Sequence, residues 1–301
     1  MNENDNMAPG TPEEPPKKRI DVIKIIKWVL IAVFAGVFLY SATTLIMYYW
    51  ASYNTQKGVD ELRSVITEST PRPSPSPRPS TEPLSPDPTD APPGPEDEDF
   101  VWKQNDRLYP LLVMNPDTVG WITIDGTNID YPVMQTGEDD PDYYLNHGFD
   151  KNWDSLGLPF LDYRCELKPN STVMLVYGHN IRSKIMFHHL LDYEDEQFWH
   201  ENQYIIFDTI YGEGIYQIFS VFRFDVGRAD KKGFQFHRYV EFENEDDFNE
   251  QMAGVMGAAL YDTGITPEYG DKFLVLATCE YSSWNGRLVV YAREVQYTPS
   301  Q

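Results

Sequence analysis

The 301-residue sequence holds two cysteines, Cys165 and Cys279, and the second lies in LATCEYSSWNGRLVVYA, residues 276–292. Three fates compete for Cys279: half of a disulfide, a small buried apolar residue, or a nucleophile. The apolar run KFLVLAT ends at the cysteine, and RLVVYAREV begins at Arg287. If these are antiparallel strands joined by EYSSWNG, thiol and guanidinium share one end of a hairpin. A cation there stabilises a thiolate or a developing oxyanion. A nucleophilic thiol also needs a proton acceptor. The histidines are His147, His179, His188, His189, His200 and His237. His179 is the best placed, because it follows the apolar run STVMLVYG and so also sits at a strand end. The others lie in less ordered or helix-like polar surroundings. At this level the three fates of Cys279 stay open.

Other side-chain clusters carry less. FHHLLDYEDEQFWH brings histidines and carboxylates together, but paired histidines followed by a distant third match no standard ligand spacing. The acidic runs GEDDPD and ENEDDFNE lack the ligand and glycine pattern of a calcium loop and read as solvated surface. No metal and no other cofactor is expected.

Residues at strand ends need a scaffold of strands. From Phe100 onward the composition is that of a folded domain, opening on an amphipathic stretch, DFVWKQNDRLYPLLVMNPD, in which Pro110 opposes a single unbroken helix. Short strand-like runs follow: VGWITID, NIDYPVMQ, LGLPFLD, STVMLVYG, QYIIFDT, GIYQIFSVFRF, FQFHRYVEF, KFLVLAT and RLVVYAREV. Several begin or end at Gly, Asn, Asp or Pro. One later segment, NEDDFNEQMAGVMGAALYDTG, reads as a helix, with Phe248, Met252, Val255, Met256 and Leu260 on one face and an acidic first turn. Many short strands with few helices indicate a mostly-β fold, a closed or nearly closed barrel.

Ahead of this head the chain is different. Residues 28–50, WVLIAVFAGVFLYSATTLIMYYW, contain no charged side chain, and a helix of that length spans the hydrocarbon core of a bilayer, about 30 Å. Trp28 at one end and Tyr48, Tyr49 and Trp50 at the other suit the two interfaces. Lys17, Lys18, Arg19, Lys24 and Lys27 crowd the preceding side, whereas Lys57 and Arg63 are sparser after it. The charge bias places the N-terminus in the cytoplasm and the rest outside. The stretch exceeds a signal-peptide core and lacks a clear small-x-small cleavage site, so it reads as an uncleaved anchor. After the polar juxtamembrane ASYNTQKGVDELRSVITEST comes PRPSPSPRPSTEPLSPDPTDAPPGPEDED, where recurrent proline forbids helix and sheet and leaves a semi-rigid, extended spacer. The formal charge of −23, from 47 acidic against 24 basic residues, opposes nucleic-acid binding.

Taken with these features, the motifs resemble the sortases, membrane-anchored cysteine transpeptidases of Gram-positive bacteria. Their T-L-x-T-C signature is similar to Val275-Leu276-Ala277-Thr278-Cys279, with valine in place of the first threonine. The catalytic histidine corresponds to His179 in YGHN and the catalytic arginine to Arg287. DTVGWITIDGTNIDYPVMQ, YYLNHGFD, GLPFLDYR, VYGHN, the MF of SKIMFHHL and a helix at about residues 244–261 resemble the class B branch.

The resemblance implies a closed eight-stranded β-barrel with a few peripheral helices. It divides the chain into a cytoplasmic tail (1–27), a transmembrane anchor (28–50), a juxtamembrane segment and Pro-rich linker (51–99) and a catalytic domain (100–301). It further implies a single-pass protein of the cell membrane with its catalytic domain extracellular. Cys279 would attack the threonine carbonyl of a sorting-signal pentapeptide, and an amine of a peptidoglycan cross-bridge or a pilin lysine would resolve the thioacyl-enzyme. Leu145, Tyr177, Thr278 and Glu280 fall at positions that line the substrate groove. The acidic GEDDPD replaces a segment where the family often has asparagine. Cys165 stands where the family usually has another residue, and a catalytic thiol cannot sit in a permanent disulfide, so Cys165 is expected to be free. Two alternatives stand beside transpeptidation: a cysteine peptidase that hydrolyses its thioacyl intermediate, and a non-catalytic binding module on a stalk.

Overall fold

The structure is a computed structural model that describes residues 22–69, 103–226, 234–280 and 286–300. The expected cytoplasmic tail up to residue 21, the Pro-rich linker and residues 281–285 of the EYSSWNG loop lie outside the described residues. The chain divides into two units, residues 1–48 and 49–301.

In the first unit the described residues are helical, as the start of α1 (Val22–Ser69). Among the described residues this is the one helix long and apolar enough to cross a membrane. Its large side chains, Trp28, Phe34 and Phe38 among them, are exposed. The hydroxyls of Thr43 and Thr44 donate back to the carbonyls of Leu39 and Tyr40, at 2.8 and 2.5 Å. The two threonine hydroxyls are thereby satisfied within the apolar helix.

The second unit is a barrel of eight strands: β1 (Thr118–Thr123), β2 (Asp130–Met134), β3 (Phe160–Leu161), β4 (Val173–Gly178), β5 (Tyr204–Thr209), β6 (Gly212–Asp225), β7 (Phe273–Glu280) and β8 (Gly286–Pro299). They close in the order β1-β2-β3-β4-β7-β8-β6-β5. All neighbours are antiparallel except β2–β3 and β4–β7. Aromatic residues fill the core, with Trp121, Tyr131, Phe207, Tyr216, Phe219, Phe222 and Tyr291 fully buried. In β7 every residue from Phe273 to Thr278 is buried, on both faces. That double burial explains why the segment reads as an unbroken apolar run rather than an alternating one.

The helix expected before the cysteine strand is α4 (Glu245–Ala258). The Asn244 side chain caps it by accepting from the Asp247 N–H at 3.0 Å, and Glu245, Asp246 and Asp247 complement the positive end of its dipole. Phe248, Met252 and Val255 are buried as their spacing requires, whereas Leu260 lies past the helix end and is exposed. The amphipathic opening stretch supplies α2 (Tyr109–Met114), with Pro110 in its first turn, where a missing N–H costs nothing. The sequence also forms a 3-10 helix at Phe187–Glu194 and α3 (Glu196–Glu201), capped by Asp195.

Two strand expectations need correction. FQFHRYVEF alternates aromatic and polar residues but forms no strand. The Phe236 carbonyl accepts from Gln251 Nε2 at 3.1 Å and from the Tyr291 hydroxyl at 2.7 Å, and the Val240 carbonyl accepts from the Val173 N–H at 2.9 Å. Its backbone is spent on isolated contacts with α4 and the barrel rather than on a ladder. LGLPFLD pairs only at Phe160 and Leu161, because Gly157 adopts φ +56° and Pro159 has no N–H to give.

The juxtamembrane stretch belongs to the second unit. Val59, Leu62 and Ile66 recur at helical spacing along α1 and are buried. Thr55 donates to Asp154 at 2.7 Å, Arg63 pairs with Asp130 at 2.5 Å, and Ser52 meets Ser183 at 2.9 Å. The chain returns to the same unit at Asn105, Arg107 and Leu108, all buried, with Arg107 paired to Asp208.

Candidate active site

The register of β7 decides what Cys279 faces. The Phe273 N–H donates to Thr172 on the β4 side at 2.7 Å, and the Lys272 carbonyl accepts from Glu294 on the β8 side at 2.7 Å. Backbone groups alternate along a strand, and the β7–β8 ladder has no register shift. Residues 273, 275, 277 and 279 therefore direct their N–H and C=O groups toward β4. Cys279 pairs with Arg287, and this pair is a non-hydrogen-bonded rung. Such rungs bring the Cα atoms to about 4.5 Å rather than about 5.5 Å, with the side chains correspondingly closer.

On the other flank, β4 runs parallel to β7 and its last rung pairs Gly178 with Thr278. His179 and Cys279 are the next residues outward on neighbouring strands. The His179 imidazole is fixed through Nε2, 2.8 Å from the Leu145 carbonyl. A carbonyl only accepts, so Nε2 carries the hydrogen, and the neutral ring offers Nδ1 as its proton acceptor.

Leu145, Tyr177, His179, Thr278, Cys279 and Arg287 border one cleft of about 310 Å³. The expected site residues thus converge, with differences in detail. Leu145 borders the cleft and also gives its backbone carbonyl to His179. Tyr177 lies tilted against Phe160, centroids 5.6 Å apart, and its hydroxyl donates to Asp162 at 3.5 Å; burial pushes that hydroxyl's pKa well up. The Thr278 hydroxyl is buried and donates to the Gly178 carbonyl at 2.8 Å, tying β7 to β4. Glu280 ends β7 opposite Gly286, and its side chain lies outside the described residues.

Both cysteines are free, Cys279 half-buried and Cys165 buried. Burial pushes the Cys165 thiol up to about 12, and its Sγ donates to the Val173 carbonyl at 3.5 Å.

Several neighbours escape a reading by residue type. Asn180 donates from Nδ2 to the Cys279 carbonyl at 2.9 Å. Asp162, also in the cleft wall, is gripped by Arg164 through two bonds of 2.8 Å. Burial alone would raise the Asp162 carboxyl, but the Arg164 bonds and charge overcome it and hold the group below the usual carboxylate value. The Y-G-H-N and L-D-Y-R strings contain these residues, but only the fold shows their partners. A larger cavity, about 600 Å³, lies between α1 and the 148–154 loop, and neither the thiol nor His179 borders it.

Known proteins resemble this chain in sequence and in fold. The family model described as Sortase domain matches residues 122–295. Sortase B of Staphylococcus aureus is 31% identical over 188 residues, which cover 62% of this chain and 73% of that protein. The X-ray structure of Clostridium perfringens sortase B is 31% identical, with a TM-score of 0.57 over 62% of this chain and 99% of its own. A sortase B from Bacillus anthracis reaches a TM-score of 0.64 over 82% of this chain and 99% of its own; at 24% identity it speaks for the fold alone. With a closed barrel of this topology and a family match over more than half its length, the chain belongs to the sortases, in their class B branch, and is a cysteine transpeptidase acting on the sorting signals of surface proteins.

Proposed function

We propose that Cys279, His179 and Arg287 carry transpeptidation in two steps. His179 Nδ1 takes the thiol proton as the Cys279 sulfur attacks the threonine carbonyl of a sorting-signal pentapeptide, and Arg287 stabilises the oxyanion that forms. The C–N bond then breaks, and His179 gives a proton to the departing amine, leaving a thioester between substrate and enzyme. A second amine, from a peptidoglycan cross-bridge or a pilin lysine, attacks that thioester. His179 takes its proton, the C–S bond breaks, and a new amide joins the surface protein to its acceptor. Leu145, Tyr177, Thr278 and Glu280 belong to the groove that receives the peptide. The observation that carries this reading is the convergence of a thiol, an imidazole with a free Nδ1 and a guanidinium on one cleft.

Hydrolysis uses the same site with water as the second nucleophile. A pentapeptide library, incubated with and without an amine acceptor and followed by mass spectrometry, separates the two. Transfer products that appear only with the acceptor support transpeptidation. Free acid alone, even at saturating amine, would assign a peptidase, and unchanged cleavage by Cys279→Ala would point to a site elsewhere.

In the cell, residues 28–50 form a single membrane span with the N-terminus cytoplasmic and the catalytic domain outside, on the strength of the basic residues that precede the span. Labelling of engineered cysteines in intact cells tests the sidedness. The Pro-rich linker joins Ser69 to Lys103, and residues near both ends pack on the head.

A further inference from the structure

We infer that Asn180 is a positioning residue for the nucleophile, and that His188 holds Asn180 in the orientation this requires. The inference rests on the reading of Cys279 as the nucleophile. The argument begins where the β4–β7 ladder stops, at the pair Gly178–Thr278. The Cys279 carbonyl faces β4, so the next rung would bond it to β4 backbone. That backbone has already turned away: His179 gives its carbonyl to the Phe187 N–H at 2.9 Å, and Asn180 bridges to Met186. The Asn180 side chain supplies the missing rung, with Nδ2 at 2.9 Å from the Cys279 carbonyl.

The amide can point only one way. The Cys279 carbonyl accepts and cannot donate, so Nδ2 faces it and Oδ1 faces the other side. There Oδ1 meets His188 Nδ1 at 2.7 Å, and because Oδ1 also only accepts, Nδ1 carries the hydrogen. Burial first, and the adjacent His189 next, lower the His188 pKa and favour the neutral ring. Asn180 is itself 5% exposed, so solvent does not compete for these bonds.

Fixing the Cys279 carbonyl fixes the peptide plane that follows the nucleophile, and with it the direction in which the Cα–Cβ bond carries the sulfur. The same dipeptide, His179-Asn180, thus presents the proton acceptor and braces its partner. Misplacement of a reacting group by about 1 Å costs on the order of 10²-fold in rate. The brace therefore acts on turnover, not on peptide affinity.

The test uses the full chain in detergent, with kcat and KM for peptide transfer, the rate of iodoacetamide alkylation at Cys279, and melting temperature. Asn180→Asp keeps the size of the side chain but sets a carboxylate against the Cys279 carbonyl. It is expected to lower kcat on the order of 10- to 100-fold and to slow alkylation, with KM little changed. His188→Leu removes the donor and lowers kcat in the same sense, whereas His188→Asn returns a donor near the Nδ1 position and restores it. The proposal is overturned if Asn180→Asp keeps wild-type kcat, if its defect lies in KM alone, or if His188→Asn is no better than His188→Leu. Should Asn180→Asp fail to fold, the two His188 variants decide alone. Cys279→Ala serves as the reference: activity without the thiol would remove the underlying reading, whereas a dead Cys279→Ala beside a fully active Asn180→Asp removes only the brace.

Discussion

Cys279 and Arg287 face one another across a non-hydrogen-bonded rung near the end of the β7–β8 ladder. The strand parity that turns the Cys279 carbonyl toward β4 leaves the two side chains on the narrow side of the pair. The Arg287 guanidinium is partly held by its own neighbour, Nη1 donating to the Gly286 carbonyl at 3.0 Å. A cation so placed acts on charge that develops at the reacting centre. Arg287→Ala is therefore expected to lower kcat on the order of 10²- to 10³-fold, as loss of an oxyanion donor does, with KM for the peptide nearly unchanged. Arg287→Lys keeps the charge but not the planar fork and should fall between. Wild-type turnover in Arg287→Ala would end the oxyanion assignment.

The two thiols should separate cleanly. Cys165 is buried and its thiol is pushed up to about 12, so almost none is thiolate at pH 8. Cys279 is half-buried at the cleft. Titration with a thiol reagent, without reductant, is expected to find one reactive thiol in the native protein and two after denaturation. Zero in both states would mean a disulfide, zero in the native state alone would contradict the accessibility of Cys279, and two in the native state would contradict the burial of Cys165.

Much of this was legible before the fold. The Cys279–Arg287 hairpin was legible because two apolar runs flank a polar loop, and His179 because it follows a third such run. Asn180 and the Leu145 carbonyl were not, since each acts through a backbone bond that leaves no pattern of residue types. FQFHRYVEF misled because alternating aromatics satisfy the period of a strand, while its backbone serves α4 and the barrel instead. Val59, Leu62 and Ile66 did carry a helical period, but between a membrane span and a proline-rich run that signal is easily read as solvated linker.

That docking has a thermal consequence. Val59, Leu62 and Ile66 are all buried, and each buried aliphatic side chain contributes about 1.5–3 kcal/mol as an upper figure. The half-exposed Arg63–Asp130 pair adds little. A head starting at residue 100 is expected to melt on the order of 10 °C below one starting at residue 51, given about 2–4 °C per kcal/mol at this size. Equal melting temperatures would show that residues 51–69 do not pack on the rest of the head in solution.

The Asp162–Arg164 pair sets a pH window. The folded carboxyl is held below its unfolded value of about 3.9, so the native state binds fewer protons there than the unfolded chain. Its stabilisation is present above that value and is lost as pH falls through the folded pKa. Asp162→Asn should melt below wild type at pH 7, with the gap closing below about pH 4. Melting curves that stay equally far apart down to pH 2 would remove the pair as the cause.

Gly157 connects backbone conformation to the proton acceptor. It adopts φ +56°, and a Cβ there would stand 2.4 Å from the carbonyl oxygens of both Leu145 and Tyr144. The first of these holds His179 Nε2 at 2.8 Å, and the second accepts from the Leu158 N–H at 2.9 Å. Gly157→Ala must therefore displace the Leu145 carbonyl or the Gly157 backbone, and the imidazole loses its fixed orientation. Turnover is expected to fall on the order of tenfold or more, beyond the cost of about 1–3 kcal/mol in stability for a left-handed alanine. Gly264 separates the two effects: it has φ +72° with open space where a Cβ would go. Gly264→Ala should carry the backbone cost and keep wild-type kcat, measured well below the melting temperature of both variants. If Gly157→Ala turns over as fast as Gly264→Ala, the Leu145 carbonyl does not orient His179.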